Sequence, residues 1–169
     1  PWDIWHGGHF MEADRKSNIL WEYEDPYAHH DAQWLNDGLL YVAAADYKDG
    51  RYSDIVRIVD RQGNVKWEWC AWKKLSEKNW PVHEGMPDNH WPMINGVHLH
   101  DNIVYMSLRN TSGIIGVHID SKDVVWSVKW PDVAQQHCPV VTDKGTLIAF
   151  CNGNIRPPGV HHSRIVEFD

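Results

Sequence analysis

The feature that most constrains this chain is a short pattern that recurs along it. Residues 11–21 laid over residues 57–67 match Asp14 with Asp60, Asn18 with Asn64 and Trp21 with Trp67. A third copy, residues 117–126, is one residue shorter, with Asp120 and Trp126 in the same roles, and a fourth begins at Ile165 and reaches Asp169. Each copy reads as a strand, a tight turn carrying Asp with Gly or Asn, and a second strand ending in Trp. Recurrence at a fixed period governs the fold as a whole and takes precedence over local propensity.

Between these hairpins lies a second repeated unit. His30 to Gly38 followed by an apolar run matches His137 to Gly145 followed by another, and Ile94 to Asn102 is a looser copy. Two hairpins per period make four strands, which is one blade of a β-propeller. The Asp spacings are 46, 60 and 49 residues, close to the roughly 40–50 residues of propeller blades. The middle period is swollen by residues 70–92, which read as an inserted loop with one helical turn around Lys73 to Lys78. The expected fold is therefore all-β, with four-stranded blades and residues 1–169 as one partial propeller domain. At about 45 residues per blade the length covers three to four blades, whereas closed rings take four to eight. That predicts an incomplete ring or a fragment, completed by further blades or by another chain. A β-sandwich would not produce the same Asp-to-Trp spacing repeatedly.

The 11 Trp divide on this scheme. Trp21, Trp67 and Trp126 share one position and are expected to pack between successive blades. Trp2, Trp5, Trp72, Trp80 and Trp91 fall outside it, as loop anchors or as walls of a pocket. Gly7 and Gly8 mark an irregular segment near Asp3, Trp5, His6 and His9, a loop over the channel or a frayed end.

Charge excludes one class of partner. The net charge of −7 argues against nucleic acid, whose phosphates need a basic surface. Apolar runs such as Leu39 to Ala45 are far too short to span a bilayer. The chain opens on Pro1 with no signal segment before it and is read as processed or partial. Cys70, Cys138 and Cys151 lack a CxxC spacing and are odd in number, so at least one is unpaired within the chain. Cys138 and Cys151 are expected to be small buried apolar groups.

Inner strands of a propeller face its channel, and the second unit starts at His30 and at His137, each eight residues before its turn glycine. Both are therefore expected to point at a shared centre. Three chemistries could use them. Metal binding needs a third ligand, for which His29-His30 with Asp31, or His161-His162, are candidates. Adjacent residues in a strand face opposite ways, so each doublet is expected to supply one ligand at most. The others are general acid–base work near neutral pH and nucleophilic catalysis by a neutral imidazole.

These segments resemble the bacterial arylsulfotransferase family, propeller enzymes that move sulfuryl groups without a nucleotide donor. His29-His30-Asp31 ahead of Leu35-Asn36-Asp37-Gly38 is similar to the family's His-Asp segment before a Leu-Pro-Asn-Gly turn. Ser107-Leu108-Arg109-Asn110 resembles its Ser-x-Arg segment. Gln136-His137, then Asp143-Lys144-Gly145 and Phe150-Cys151-Asn152-Gly153, resembles its Gln-His, Asp-x-Gly and Phe-Asp-Asn-Gly segments, and Ser163 to Glu167 its Ser-Arg-Val-x-Glu strand.

The resemblance implies catalysis through a sulfated histidine, His137, with His30 and Arg109 stabilising the sulfuryl group. It implies a small aromatic sulfate ester as donor, a phenol as acceptor, no metal and no cofactor, and a periplasmic or secreted setting. Asn95, Met93, His90, Asn152 and Arg164 are the expected substrate-binding residues. Two departures stand out. Met93 replaces a histidine in His90-Trp91-Pro92-Met93-Ile94-Asn95, and it can neither take up a proton nor donate a hydrogen bond. Cys151 replaces an aspartate. The alternatives are a propeller that binds a ligand or a protein without turnover, or a His-rich metal-binding propeller.

Overall fold

A computed structural model describes residues 8–157 and 159–169. The expectations for Trp2, Asp3, Trp5, His6 and Gly7 lie outside the described residues. The described chain is all-β, in four antiparallel sheets whose strands follow chain order. The first is the hairpin β1 (His9–Ala13) and β2 (Ile19–Glu24). Next comes a full blade, β3 (Ala28–Leu35), β4 (Gly38–Lys48), β5 (Arg51–Asp60) and β6 (Val65–Cys70). After the short α1 (Ala71–Lys74) follow β7 (Ile94–His100), β8 (Ile103–Leu108), β9 (Gly113–His118) and β10 (Val124–Lys129). Three strands, β11 (Gln136–Val141), β12 (Leu147–Cys151) and β13 (Arg164–Phe168), end the chain. The leading strands β3, β7 and β11 adjoin one another in that order, the partial propeller-like arrangement that the repeat predicts.

Middle strands are apolar on both sides because each blade is covered on both faces. Along β4, Leu39, Tyr41 and Ala43 face the β1–β2 hairpin, while Leu40 and Val42 face the blade that follows. Along β9, Ile115 and Val117 turn to the preceding blade and Ile114 to the next. A period-2 backbone between two partners makes an uninterrupted apolar run, which is why Leu39 to Ala45 resembles a buried segment. Each fully buried aliphatic side chain contributes roughly 1.5–3 kcal/mol.

The ruler has a physical basis. Asp14 Oδ1 accepts the N–H groups of Lys16 and Asn18 at 2.8 and 2.9 Å, and Asp60 Oδ1 those of Gln62 and Asn64 at 2.9 and 2.8 Å. The Asn side chain closes each turn by donating back to the Asp carboxylate. These bonds hold both carboxyls below the usual range. Trp21 then donates from Nε1 to Arg61 O at 2.8 Å, and Trp67 donates to Ile119 O at 2.7 Å. Trp21 and Trp67 thus latch onto the turn of the following blade, and Trp126 packs on Phe168 with ring centroids 6.1 Å apart.

One expectation is corrected here. Trp21, Trp67 and Trp126 pair across their hairpins with Glu12, Ile58 and Gly116, two residues before Asp14, Asp60 and His118. The turn position in the third copy is therefore His118, not Asp120, and a turn one residue longer displaced the alignment.

The latch predicts a measurable loss. Trp67→Phe keeps the ring packing but leaves the Ile119 carbonyl without its donor, so unfolding in urea should show a stability loss of about 1–3 kcal/mol.

The segment between β6 and β7 is pinned from inside. Its helical turn falls at Ala71–Lys74, slightly ahead of the predicted 73–78. Trp80 and Trp91 are buried in the core between the two full blades, Trp91 donates from Nε1 to Trp80 O at 2.7 Å, and Trp72 packs alongside. These three tryptophans anchor the segment to the core. Of the three free cysteines, Cys70 and Cys151 are buried, but Cys138 is exposed, contrary to expectation. It sits in an irregularity of β11 at φ 49°, which turns its side chain off the alternating pattern.

Candidate functional site

All three leading strands lose regular pairing near their starts, between His29 and Ala32 in β3, Ile94 and Gly96 in β7, and His137 and Val140 in β11. Extra residues at such points kink a strand and re-aim its side chains. By register, His29 and His137 are the last paired residues before the irregularity. The position equivalent to His137 is thus His29, not His30.

His30 itself has φ 58°, a left-handed conformation that breaks strand alternation. The two rings of the doublet consequently meet, with Nδ1 of His29 and Nδ1 of His30 2.8 Å apart. The two rings therefore lie together against strand alternation, while among the described residues only His29 of the doublet stands in a metal-type group, with Asp54 and His90.

His137 is clamped at both ring nitrogens. Asn95 Nδ2 lies 2.9 Å from its Nδ1, and Asn152 Nδ2 lies 3.0 Å from its Nε2. A neutral imidazole offers one donor and one acceptor, so one amide must present its oxygen. Asn95 is fixed, because its Nδ2 donates to Gln136 O at 3.0 Å and its Oδ1 accepts from Ser107 Oγ at 2.7 Å. Asn152 is therefore the amide that turns, accepting a proton held on Nε2. Gln136 stiffens this floor by donating to Gly113 O at 2.7 Å and to Ser107 Oγ at 3.0 Å.

Arg109 follows β8. It donates to Asn110 Oδ1 at 3.1 Å, and its Nη1 touches Met93 Sδ at 3.7 Å. Among the described residues it pairs with no carboxylate, so its charge is available to an anion. Burial lowers its pKa. Burial and then the Arg109 charge push His137 down. His30 falls to about 4, through burial first and then the neighbouring imidazoles, His137 among them. His137 thus feels the Arg109 charge, and His30 feels His137.

Met93 stands at φ 62° with its backbone carbonyl accepting from the Arg109 N–H. His90 does not take its place. It is buried behind the doublet, its Nε2 2.7 Å from Asp54 Oδ1, while His29 Nε2 lies 3.3 Å from the same oxygen. Asp54 Oδ2 accepts the Ile94 N–H at 3.0 Å. Burial alone would raise this carboxyl, but the two imidazoles outweigh it and hold the group below the ordinary range. His29, Asp54 and His90 also have the residue types of a metal set. Arg164 goes elsewhere, donating to Asp132 O at 2.7 Å. Asp31, a candidate ligand, instead accepts the Val97 N–H at 2.9 Å and ties β3 to β7.

Asp54 is the site residue that sequence reasoning missed. The sequence marked it poorly: Ser53 and Asp54 are both wholly buried, yet they lie in a strand that also carries Arg51, Arg57 and Asp60. Such a pair requires partners.

The family model for arylsulfotransferase (ASST) matches residues 16–169. This chain belongs to the arylsulfotransferase family. Among solved structures, this arylsulfotransferase-family chain is similar to a protein of unknown function from Bacteroides caccae, with a TM-score of 0.54 and 14% identity. The match covers 90% of this chain and 51% of that one, so the chain spans about half of its length. No curated protein matches the chain. At that identity the structural likeness speaks for the fold alone, and the family model alone supports arylsulfotransferase-like chemistry.

Proposed function

We propose that the chain carries the sulfuryl-transfer site of an exported arylsulfotransferase, moving a sulfuryl group from a phenolic sulfate ester to a phenol by way of His137. The observation that supports this best is the holding of the His137 ring at both nitrogens by Asn95 and Asn152, with the unpaired Arg109 charge close enough to push His137 down. Sulfuryl transfer requires positioning and donors on the equatorial oxygens more than covalent assistance, as phosphoryl transfer does. Arg109 presents a planar fork to those oxygens, with Asn152 and His30 beside it.

In the first half-reaction a nitrogen–sulfur bond forms at His137 as the sulfur–oxygen bond of the donor breaks. The departing phenolic oxygen takes the proton from Nε2, and the electron pair so freed on Nε2 bonds the sulfur. The second half-reaction reverses this with the acceptor phenol, giving ping-pong kinetics. Incubation with 4-nitrophenyl sulfate and a phenol should release nitrophenol. Without acceptor, peptide mass spectrometry should find one sulfuryl group on His137. Absence of both turnover and adduct would refute the proposal.

Met93 favours a second reading, a propeller that binds aryl sulfates without turning them over, because its thioether lies against Arg109 where the family pattern has a histidine. Met93→His separates the two. Histidine tolerates the left-handed backbone better than methionine and restores a donor. The transfer reading expects kcat to rise by roughly 10-fold or more, within the range of one added acid–base or donor group. The binding reading expects unchanged affinity and no turnover in either protein.

A further inference from the structure

The trio behind the doublet has a composition that sulfuryl transfer does not require. Asp54 comes from β5, His29 from the irregular start of β3, and His90 from the segment before β7. Their ligand atoms lie within 4.8 Å of one another. Side chains of Asp54 and His90 are almost wholly shielded from solvent, and so is that of His29. A buried carboxylate needs compensating positive charge. The two imidazoles lie within 3.3 Å of it, His30 stands close enough to feel its charge, and the Ile94 N–H is on its second oxygen.

From this geometry we propose that His29, Asp54 and His90 form a site for a divalent transition-metal ion of the zinc class. Two imidazoles and a carboxylate are a donor set suited to zinc, and they leave coordination positions open. Bond lengths of about 2.0–2.2 Å put tetrahedral ligands roughly 3.4 Å apart. The separations of 3.3 Å for His29 Nε2 and 2.7 Å for His90 Nε2 from Asp54 Oδ1 need only small adjustment.

A second observation comes from the outer side of the site. A metal-ligating histidine hands its other ring N–H to a partner that fixes its orientation. For His29 that partner is in place, His30 Nδ1 at 2.8 Å. Metal bound through His29 Nε2 would leave a proton on Nδ1 to donate there. The ion would also fasten three separate stretches of chain, including the long segment that carries His90, and would stabilise the fold by mass action.

The proposal stands independently of sulfuryl transfer and is tested without activity. Tag-free protein is stripped with a chelator and titrated with Co²⁺ alone and with Zn²⁺ alone. One equivalent of cobalt should give visible d–d absorption, and one equivalent of zinc should bind with a rise in melting temperature. His90→Gln and Asp54→Asn should each weaken zinc by more than the roughly 10–100-fold that loss of an outer partner costs. X-ray absorption on the zinc-loaded wild type should count two imidazoles and an oxygen donor, which decides the matter even where a variant does not fold. No stoichiometric binding would overturn the proposal. So would a different ligand count, or folded variants that bind as wild type does and so place the ion elsewhere, as at His161 and His162.

Discussion

Replacing His137 by alanine is expected to remove both turnover of an aryl sulfate and the covalent adduct, while leaving ligand affinity nearly unchanged. The ring is the only group in the proposed scheme that changes bonding partners, and loss of a nucleophile costs roughly 10³-fold or more in kcat. Arg109 and Asn152 would remain to hold the sulfate oxygens. Titration calorimetry with 4-nitrophenyl sulfate should therefore report similar binding, and intact mass should report no added sulfuryl group. Turnover at the wild-type rate would eliminate His137 as nucleophile. His137→Ala should also remain folded, since the ring is only half-buried, Asn95 keeps its bonds to Gln136 O and Ser107 Oγ, and Asn152 can turn to solvent.

The second large effect is expected at a residue with no side chain. A Cβ built on Gly96 would lie 2.6 Å from Pro139 Cδ and 2.9 Å from Cys138 N. Both neighbours belong to β11, one and two residues beyond His137, and neither is the movable end of a flexible chain. Gly96→Ala must push β7 and β11 apart. Overpacking of this kind costs about 1–3 kcal/mol, visible as a lower urea midpoint. The neighbouring Asn95 holds His137 at 2.9 Å, so the same shift should misplace the nucleophile. A displacement near 1 Å can lower kcat by roughly 100-fold. Assay well below the melting temperature separates the two, because a purely structural effect would leave kcat per folded molecule intact.

What could be read from the chain and what could not follow from how far each signal extends. The Asp-to-Trp hairpins were legible because each is closed by local bonds, from Asp14 to Lys16 and Asn18 and from Asp60 to Gln62 and Asn64, so residue type and spacing suffice. The third copy misled because a longer turn put His118 in the Asp position, and alignment by identity favoured Asp120. Among the candidates, His137, Asn95 and Asn152 come together as neighbours, whereas Arg164 bonds to a loop carbonyl. The relation of His29 to His30 was hidden by left-handed backbone, which period-2 reasoning does not anticipate. Asp54 was hidden because its partners are 25 residues before it and 36 after it in sequence, brought round it by the pairing of β3, β4 and β5 in one sheet and by the bridge between Tyr52 and His90.

The tryptophan latch has a consequence for the number of blades a ring can hold. The blade β3–β6 carries both halves of this joint, an acceptor carbonyl at Arg61 on its own turn and a donor at its trailing Trp67, so Trp21 meets Arg61 just as Trp67 meets Ile119. A duplicated unit brings both halves of the fastening, and a deleted one takes both away. The seam left behind is chemically the same as the seam that was there. A chain built this way can lengthen or shorten by whole units without inventing a new joint.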